Sequence, residues 1–351
     1  MSSQIVSVTP KIIIGHGLQQ DLQSTLDEFD ASQILVLVDE NTHKHCLPLY
    51  SSCLVAKIVI IPSGEINKSF VQSQHIWDEL LALGGGRSSV VIAIGGGLLC
   101  DLAAFAASTF MRGIRFILMP STLLAIVDAS VGGKTGFNYN GYKNIIGSFR
   151  EADVVLADLD FMQTLPRREF VSGYAEVVKH SLLQGDLSWQ NLLANSPYQL
   201  SATDLAGSIR YKRSITMADF DEKGKREILN LGHTTAHALE SIFLKNEAHL
   251  LHGEAVAAGL WIESYLSEHY FKQENKNWFE ELRSLIKTVF PKVEYPIDSI
   301  NDIINTMYSD KKNKTSKIYF SLLKTPGHAD IGCIAEEQQI RNALLYYLKD
   351  A

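Results

Sequence analysis

Five runs of consecutive apolar, largely β-branched residues punctuate the first 160 positions: ILVLVD (34–39), AKIVIIP (56–62), SVVIAI (89–94), RFILMP (115–120) and DVVLAD (153–158). Strands without polar alternation are covered on both faces, and here they alternate with stretches of helical spacing. The pattern predicts a first domain over residues 1–160, an α/β unit with a parallel sheet and helices on both sides. From residue 161 to 351 the period changes to 3.6, in segments 169–183, 204–218, 233–243, 253–270 and 277–290, which predicts a mainly helical second domain. A late pair of runs, 317–323 and 329–335, flanks Thr325-Pro326-Gly327-His328 and reads as a hairpin added to an edge of the first domain. No internal repeat or low-complexity linker separates the halves, so they are expected to share a tight cleft.

Three histidines stand out in the helical half. His233 and His237, in NLGHTTAHALE, are four residues apart and leave the same helix face; His252 opens the small-residue run HGEAVAAGL. Upstream, GYAEVVKHSLL puts Glu176 and Lys179 three apart on another helix. A carboxylate plus two imidazoles supplies three protein ligands to a divalent zinc and leaves one position for a substrate oxygen. A single histidine on a helix is more often a packing or hydrogen-bonding residue. No Glu follows His233, so the metalloprotease pattern is absent.

The other half of the chemistry lies in the first domain. The run ending at Ile94 breaks into Gly95, Gly96 and Gly97 before helical spacing resumes, an arrangement that lets backbone amides approach a phosphate at a helix N-terminus. In the usual Rossmann fingerprint the acidic ribose ligand follows the glycines by roughly 20 residues. Here Asp39 precedes them by more than fifty, so a nicotinamide cofactor would be bound by a variant of that fold. Residues 120–149 form the densest polar cluster, with Asp128, Lys134, Lys143 and Asn144 among glycines, Arg112 upstream, and Lys212, Glu222 and Arg226 downstream. Several cations around a glycine-rich segment suit a phosphorylated or carboxylated small substrate.

GGGLLCDLAAFAASTFMRGIRFILMPSTLLAIVDASVGGKTG, DLDFMQTLPRREFVSGYAEVVKH, DEKGKREILNLGHTTAHALE, LHGEAVAAG and SDKKNK, in that order, resemble the motif series of the 3-dehydroquinate synthases, a family of sugar phosphate cyclases. The resemblance spans nearly the whole chain. It implies a Rossmann-like N-terminal domain, a helical C-terminal domain and a homodimer. By likeness, Glu176, His233 and His252 match the metal ligands (zinc, with cobalt as the alternative), and His237 matches a histidine near the substrate. Asp128, Lys134, Asn144, Lys179, Lys212, Arg226 and Asn230 match substrate-contacting positions. Glu222 matches a carboxylate near the sugar hydroxyls, Arg112 an arginine inserted from the neighbouring subunit, and Lys311 or Lys312 a phosphate-binding lysine. Asp39, Asn41, Glu65, Lys68, Gly96, Gly97, Asp101, Ser121, Thr122, Lys134, Lys143 and Thr164 match the NAD-binding positions.

Three positions depart from the family pattern. Ser121 replaces a more usual threonine and keeps the hydroxyl. His180 replaces tyrosine or threonine, one turn from Glu176, where it would be a partner of that carboxylate. In FNYNGYKN the glycine normally just before the lysine sits one place early, at Gly141, with Tyr142 in its position. The implied reaction converts 3-deoxy-D-arabino-heptulosonate 7-phosphate to 3-dehydroquinate and phosphate, in the shikimate route to aromatic amino acids. Its steps are transient oxidation by NAD, loss of phosphate, return of the hydride, ring opening and an internal aldol closure.

With 351 residues and 46% apolar content the chain can bury two large cores. A net charge of −7 argues against nucleic acid or an anionic membrane as partner, so an anionic substrate needs a local basic pocket. The four cysteines, Cys46, Cys53, Cys100 and Cys333, share no metal spacing and suggest no disulfide framework. The first 20 residues lack a signal pattern and no run of 18 apolar residues occurs, so a reducing cytoplasm is the expected compartment. Two rival enzymes fit the same outline: a cyclase acting on sedoheptulose 7-phosphate, and an iron-containing or glycerol-type dehydrogenase. The second gives no reason for Lys134, Lys179, Arg226 and a phosphate-binding lysine together. A non-catalytic scaffold would be free to lose ligands, and none is missing.

Overall fold

The computed structural model describes residues 3–140, 142–245, 249–272, 277–309 and 317–351. They group into two compact units, one formed by Met1–Phe170 with Ser201–Asp221, the other by Val171–Leu200 with Glu222–Ala351.

The first unit is built on β1 (Gln4–Val8), β2 (Lys11–Gly15), β3 (Ile34–Val38), β4 (Lys57–Ile60), β5 (Val90–Gly95), β6 (Arg115–Pro120) and, after a separate hairpin of β7 (Lys134–Tyr139) and β8 (Tyr142–Phe149), β9 (Val154–Asp158). Seven strands form one sheet in the order β1-β2-β9-β6-β5-β3-β4. Every pairing is parallel except β1 with β2. The five apolar runs supply β3, β4, β5, β6 and β9, and β5 and β9 are buried at every residue, as strands covered on both faces must be. The antiparallel edge escapes sequence reading because QIVSV is short and only half-buried.

From β3 the chain goes outward to β4 on one side and back to β5 and β6 on the other, so the topological switch lies between β3 and β5. Ligands of open α/β sheets bind outside the carboxyl ends of the strands at such a point. Register pairs Leu37 with Ala93, and Asp39 and Gly95 to Gly97 therefore follow neighbouring strand ends despite their distance in sequence.

Two placements differ from the sequence reading. The Ala202–Ala218 helix, expected in the second domain, belongs to the first unit. There it packs on β1, β2 and the Ala125–Ala129 turn, and its buried Arg213 is held by the Glu151 carboxylate and the Thr9 carbonyl. The late hairpin, β10 (Tyr319–Thr325) with β11 (His328–Ile334), does not extend the first sheet; it is a two-stranded sheet within the second unit. Its apolar strand β10 packs on the His252–Phe271 helix, and Leu323 N donates to Ser267 Oγ at 3.2 Å.

The second unit is otherwise helical. The His233–Lys245 and His252–Phe271 helices pack closely because glycine lies where they touch. A Cβ on Gly259 would stand 1.9 Å from the Gly232 carbonyl oxygen, and one on Gly253 1.7 Å from the Ser172 carbonyl oxygen. Glu263, fully buried on the second of these helices, accepts from Gly232 N at 2.6 Å and Thr235 N at 3.0 Å, and so caps the first. Gly259→Ala is therefore expected to cost at least the 1–3 kcal/mol or so of an overpacked core. Gly207→Ala, at a helix position with nothing within 4 Å, should instead gain about 0.5–1 kcal/mol. Urea unfolding of both variants measures this, and equal midpoints would refute the close-contact argument.

Candidate active site

In the second unit the Arg167–Gln184 helix is buried from Val171 to Leu183, and it carries Glu176 inward with no exposed surface. Lys179, one turn on, brings Nζ to 2.5 Å from Glu176 Oε2. His233 Nε2 and His252 Nε2 stand 3.4 and 3.7 Å from Glu176 Oε1. Ligand atoms of Glu176, His233 and His252 all lie within 4.8 Å of one another. His237 turns its ring edge-on to His233 at 5.5 Å and stays outside that group. His180, also fully buried, has Nε2 3.8 Å from Glu176 Oε2, beside the carboxylate as its spacing suggested.

The electrostatics of this cluster follow from one buried carboxylate. Burial alone would raise the pKa of Glu176, but the Lys179 ammonium and the two imidazoles hold it well below the carboxylate range. Burial, reinforced by Lys179, pushes His233 down to about 4 against the pull of Glu176. Burial acts the same way on His252, yet Glu240 and Glu176 outweigh it and bring that ring up to about 10.

A divalent cation fits here on geometry. Tetrahedral zinc with bonds of about 2.1 Å separates its ligand atoms by roughly 3.4 Å, close to the spacings found. Lys179 occupies Glu176 Oε2, whereas Oε1 faces the two imidazole nitrogens, so Oε1 is the oxygen turned to the place where a metal would sit. The His252 side chain keeps 27% exposure whereas Glu176 keeps none, which leaves the cluster open on the His252 side.

Arg226, 3% exposed, and Asn230 lie in the Lys225–Asn230 turn just before the His233 helix. Glu222 precedes them with a left-handed backbone, φ 57°. Lys311 and Lys312 lie outside the described residues.

In the first unit Asp39 caps the short Glu40–His45 helix, accepting from Thr42 N at 2.8 Å, and Asn41 is exposed on that helix. Gly96 is the N-cap and Gly97 the first residue of the Gly97–Thr109 helix, whose N-terminus has no side-chain cap and is of the kind that suits an anion. A Cβ on Gly97 would press on Ala129 Cβ at 3.2 Å. Lys68, nearly buried, bridges Asp101 Oδ2 and Asn144 Oδ1, each at 2.5 Å. Burial alone would depress its pKa, but Asp101 and Glu65 outweigh burial and keep it charged. Asn138 joins this network, donating to Glu65 Oε1 at 2.8 Å and accepting from Asn144 N at 2.9 Å. Sequence reading missed Asn138, since only the β7–β8 pairing brings it opposite Asn144.

Ser121 and Thr122 follow β6, and Thr122 Oγ1 accepts from Ala125 N at 3.1 Å. Asp128 lies in the π-helical turn Ala125–Ala129, where Lys212 Nζ meets its Oδ1 at 2.5 Å and its carbonyl at 2.6 Å. Lys134 begins β7, Lys143 and Asn144 lie on exposed β8, and Thr164 ends the Leu159–Thr164 turn. Arg112 is exposed after Met111, both with left-handed backbones of φ 67° and 51°. The segment read as a glycine-rich loop is thus partly a hairpin, in which a Cβ on Gly147 would stand 1.9 Å from the Thr135 carbonyl oxygen.

Known proteins share both sequence and fold with this chain. The descriptions 3-dehydroquinate synthase N-terminal and 3-dehydroquinate synthase C-terminal match residues 58–172 and 173–313. A 3-dehydroquinate synthase of Parabacteroides distasonis is 36% identical over 346 residues, 96% of this chain and 97% of that protein. Among solved structures, 2-deoxy-scyllo-inosose synthase complexed with carbaglucose-6-phosphate, NAD+ and Co2+ aligns with a TM-score of 0.83 at 21% identity, covering 100% of both chains. The 2-epi-5-epi-valiolone synthase of Streptomyces hygroscopicus with NAD+ and Zn2+ bound also gives 0.83, at 22% identity over 97% of each. At such identities the two structures speak for the fold, while the sequence matches, spread over both halves of the chain, speak for the family: the chain belongs to the 3-dehydroquinate synthase family.

Proposed function

We propose that this chain is a 3-dehydroquinate synthase, converting 3-deoxy-D-arabino-heptulosonate 7-phosphate to 3-dehydroquinate and phosphate. The observation that carries the reading is the buried Glu176, His233 and His252 cluster with Lys179 beside it, a cation site with fixed positive charge next to it. The proposed cofactors are NAD, held by the residues at the β3 and β5 ends and around Lys68, and a divalent metal, zinc or cobalt, held by the cluster. When bound, NAD supplies reversible hydride acceptance and the metal a Lewis acid that eases loss of an alcohol proton.

The chain's own residues account for the rest. Lys179 and Arg226 are two buried cations, and both suit an acid substrate carrying a carboxylate and a phosphate. Asp128 and Lys212 form an ion pair, and they, with Lys134 and Asn144 on the β7–β8 hairpin, are the proposed contacts of substrate oxygens. His237, off the metal cluster, is the proposed hydrogen-bonding or proton-holding group for substrate. The hydride taken from the substrate is returned before ring closure, so the net reaction is phosphate loss with no change in oxidation state. That separates this reading from a polyol dehydrogenase, whose neutral substrate would bring no anion to Arg226. No helix among the described residues is long and apolar enough to cross a membrane, and a cytoplasmic homodimer is the proposed working form.

In assay, many equivalents of phosphate are expected per enzyme with no net growth of the NADH absorbance; stoichiometric NADH would place the chain among the dehydrogenases. A charge-assisted contact to a buried anion is worth about 1.5–3 kcal/mol, so Arg226→Ala should lower kcat/KM at least about tenfold. Wild type should turn over sedoheptulose 7-phosphate, which lacks the carboxylate, far more slowly than the heptulosonate phosphate. Equal rates would favour the alternative cyclase.

Metal uptake should also be linked to one proton. Below its pKa of about 10, His252 holds a proton in the metal-free protein, whereas His233, at about 4, is already neutral above pH 5 and Glu176 is already ionised. Binding must displace only the His252 proton, so apparent affinity should rise about tenfold per pH unit between pH 6 and 9 and weaken correspondingly as pH falls. Calorimetry in buffers of different ionisation enthalpy counts that proton; none released at pH 7.5 would contradict the assignment.

Arg112 is proposed to act across the dimer. Inactive Arg112→Ala and Glu176→Ala subunits, mixed so that they exchange, should then regain some activity through one intact composite site. Proven exchange without rescue would put Arg112 in its own subunit's site.

A further inference from the structure

The two imidazoles of the cluster turn Nε2 towards Glu176 and are gripped at Nδ1 by different groups. His233 Nδ1 lies 3.1 Å from the Leu231 carbonyl oxygen, while His252 Nδ1 lies 3.4 Å from Glu240 Oε2. A carbonyl or an ionised carboxylate only accepts, so each contact places a hydrogen on Nδ1 and makes Nε2 the nitrogen offered to a metal, in His252 once the metal has displaced the Nε2 proton. His233 is further fixed by Glu263, which caps its helix through Gly232 and Thr235. The backbone around His252 is held too, Gly253 N donating to Ser172 Oγ and Leu251 N to Glu254 Oε2, each at 3.0 Å, but its ring is partly exposed and is fixed at Nδ1 by a side chain, Glu240, rather than by a carbonyl.

We infer that Glu240 is a positioning residue of the metal centre, orienting His252 and supplying the second negative charge that balances a divalent ion. Glu240 lies seven residues after His233 and three after His237 on one helix, so one face carries a ligand, the neighbouring histidine and the group that holds the other ligand. Its side chain is only 11% exposed, unlike that of a solubilising surface glutamate. With the metal bound, Glu176 and Glu240 together offset the ion, and the Lys179 ammonium remains as positive charge for an anionic ligand. The inference rests on the metal reading proposed above.

Cobalt(II) is the probe, because its visible bands report ligand geometry as well as occupancy. Dissociation constants from chelator competition are compared for wild type, Glu240→Ala and Glu240→Gln, with the melting temperature of each metal-free protein. Glu240→Ala should bind cobalt about 10–100-fold more weakly, with altered visible bands and a metal-free melting temperature like wild type. Glu240→Gln keeps an acceptor for Nδ1–H but lacks the charge, so its affinity should fall between the two. A wild-type dissociation constant in either variant overturns the inference, as does Glu240→Gln binding no better than Glu240→Ala. Should Glu240→Ala fail to fold, Glu240→Gln against wild type decides alone. Wild type that takes up no cobalt would instead remove the metal reading itself.

Discussion

A carboxylate with no exposed surface cannot stay ionised without nearby positive charge, and the second unit is arranged around meeting that demand for Glu176. Desolvating such a group costs several kcal/mol even after relaxation. Lys179 meets part of the demand from the same helix, and two imidazoles converge on the other oxygen from separate helix starts. The convergence depends in turn on glycine. Gly253 and Gly259 let the His252–Phe271 helix approach the Ser172 and Gly232 carbonyls, and any side chain there would push one ligand away from the other two. Packing and electrostatics are thus one constraint, since the helix spacing that buries the carboxylate also brings its compensating groups within reach.

The first unit faces a different problem under the proposed function, that of holding an anionic cofactor with few charges. At the ends of β3 and β5 the sheet offers a helix N-terminus with glycines and a capping aspartate, which suits a pyrophosphate and a ribose. Lys68 is the charged exception. It is buried, so its ammonium persists only because Asp101 and Glu65 sit beside it, and through Asn144 and Asn138 it ties the β7–β8 hairpin to the turn that carries Glu65. A charge held in place on all sides cannot reorient with solvent, which is the preorganisation that electrostatic stabilisation of a reacting anion requires.

Legibility from sequence followed the length scale of each signal. Uninterrupted apolar runs announced β3, β5, β6 and β9, and the i,i+3 and i,i+4 spacings within single helices announced Glu176 with Lys179 and His233 with His237, because local periodicity fixes which side chains share a face. Long-range features did not show. The switch point that brings Asp39 beside the glycines comes from strand order, the placement of the Ala202–Ala218 helix from the buried Arg213 and Glu151 pair, and the seat of the late hairpin from its packing on the His252–Phe271 helix. Glu240 was readable in principle, as the i+7 partner of His233, but its task depends on His252, whose helix begins where no pattern in the His233 helix points.

Backbone strain marks another part of the same design. Left-handed backbone at a residue with a Cβ costs roughly 1–2 kcal/mol outside asparagine and aspartate, and it survives only where surrounding structure dictates it. Met111 and Arg112 adopt it in succession, at φ 51° and 67°, and Gly113 follows at 118°; Glu222 adopts it at 57°. At Arg112 the left-handed turn also closes the end of the Gly97–Thr109 helix, since Ile114 N donates back to the Ala107 carbonyl at 2.9 Å. Relaxing the Glu222 backbone to the right-handed region would redirect its side chain for a gain in local stability. That the fold keeps the left-handed conformation at both positions fits the proposed contacts of Arg112 with a neighbouring subunit's site and of Glu222 with sugar hydroxyls, because aim matters more than local stability where a charge must meet a ligand.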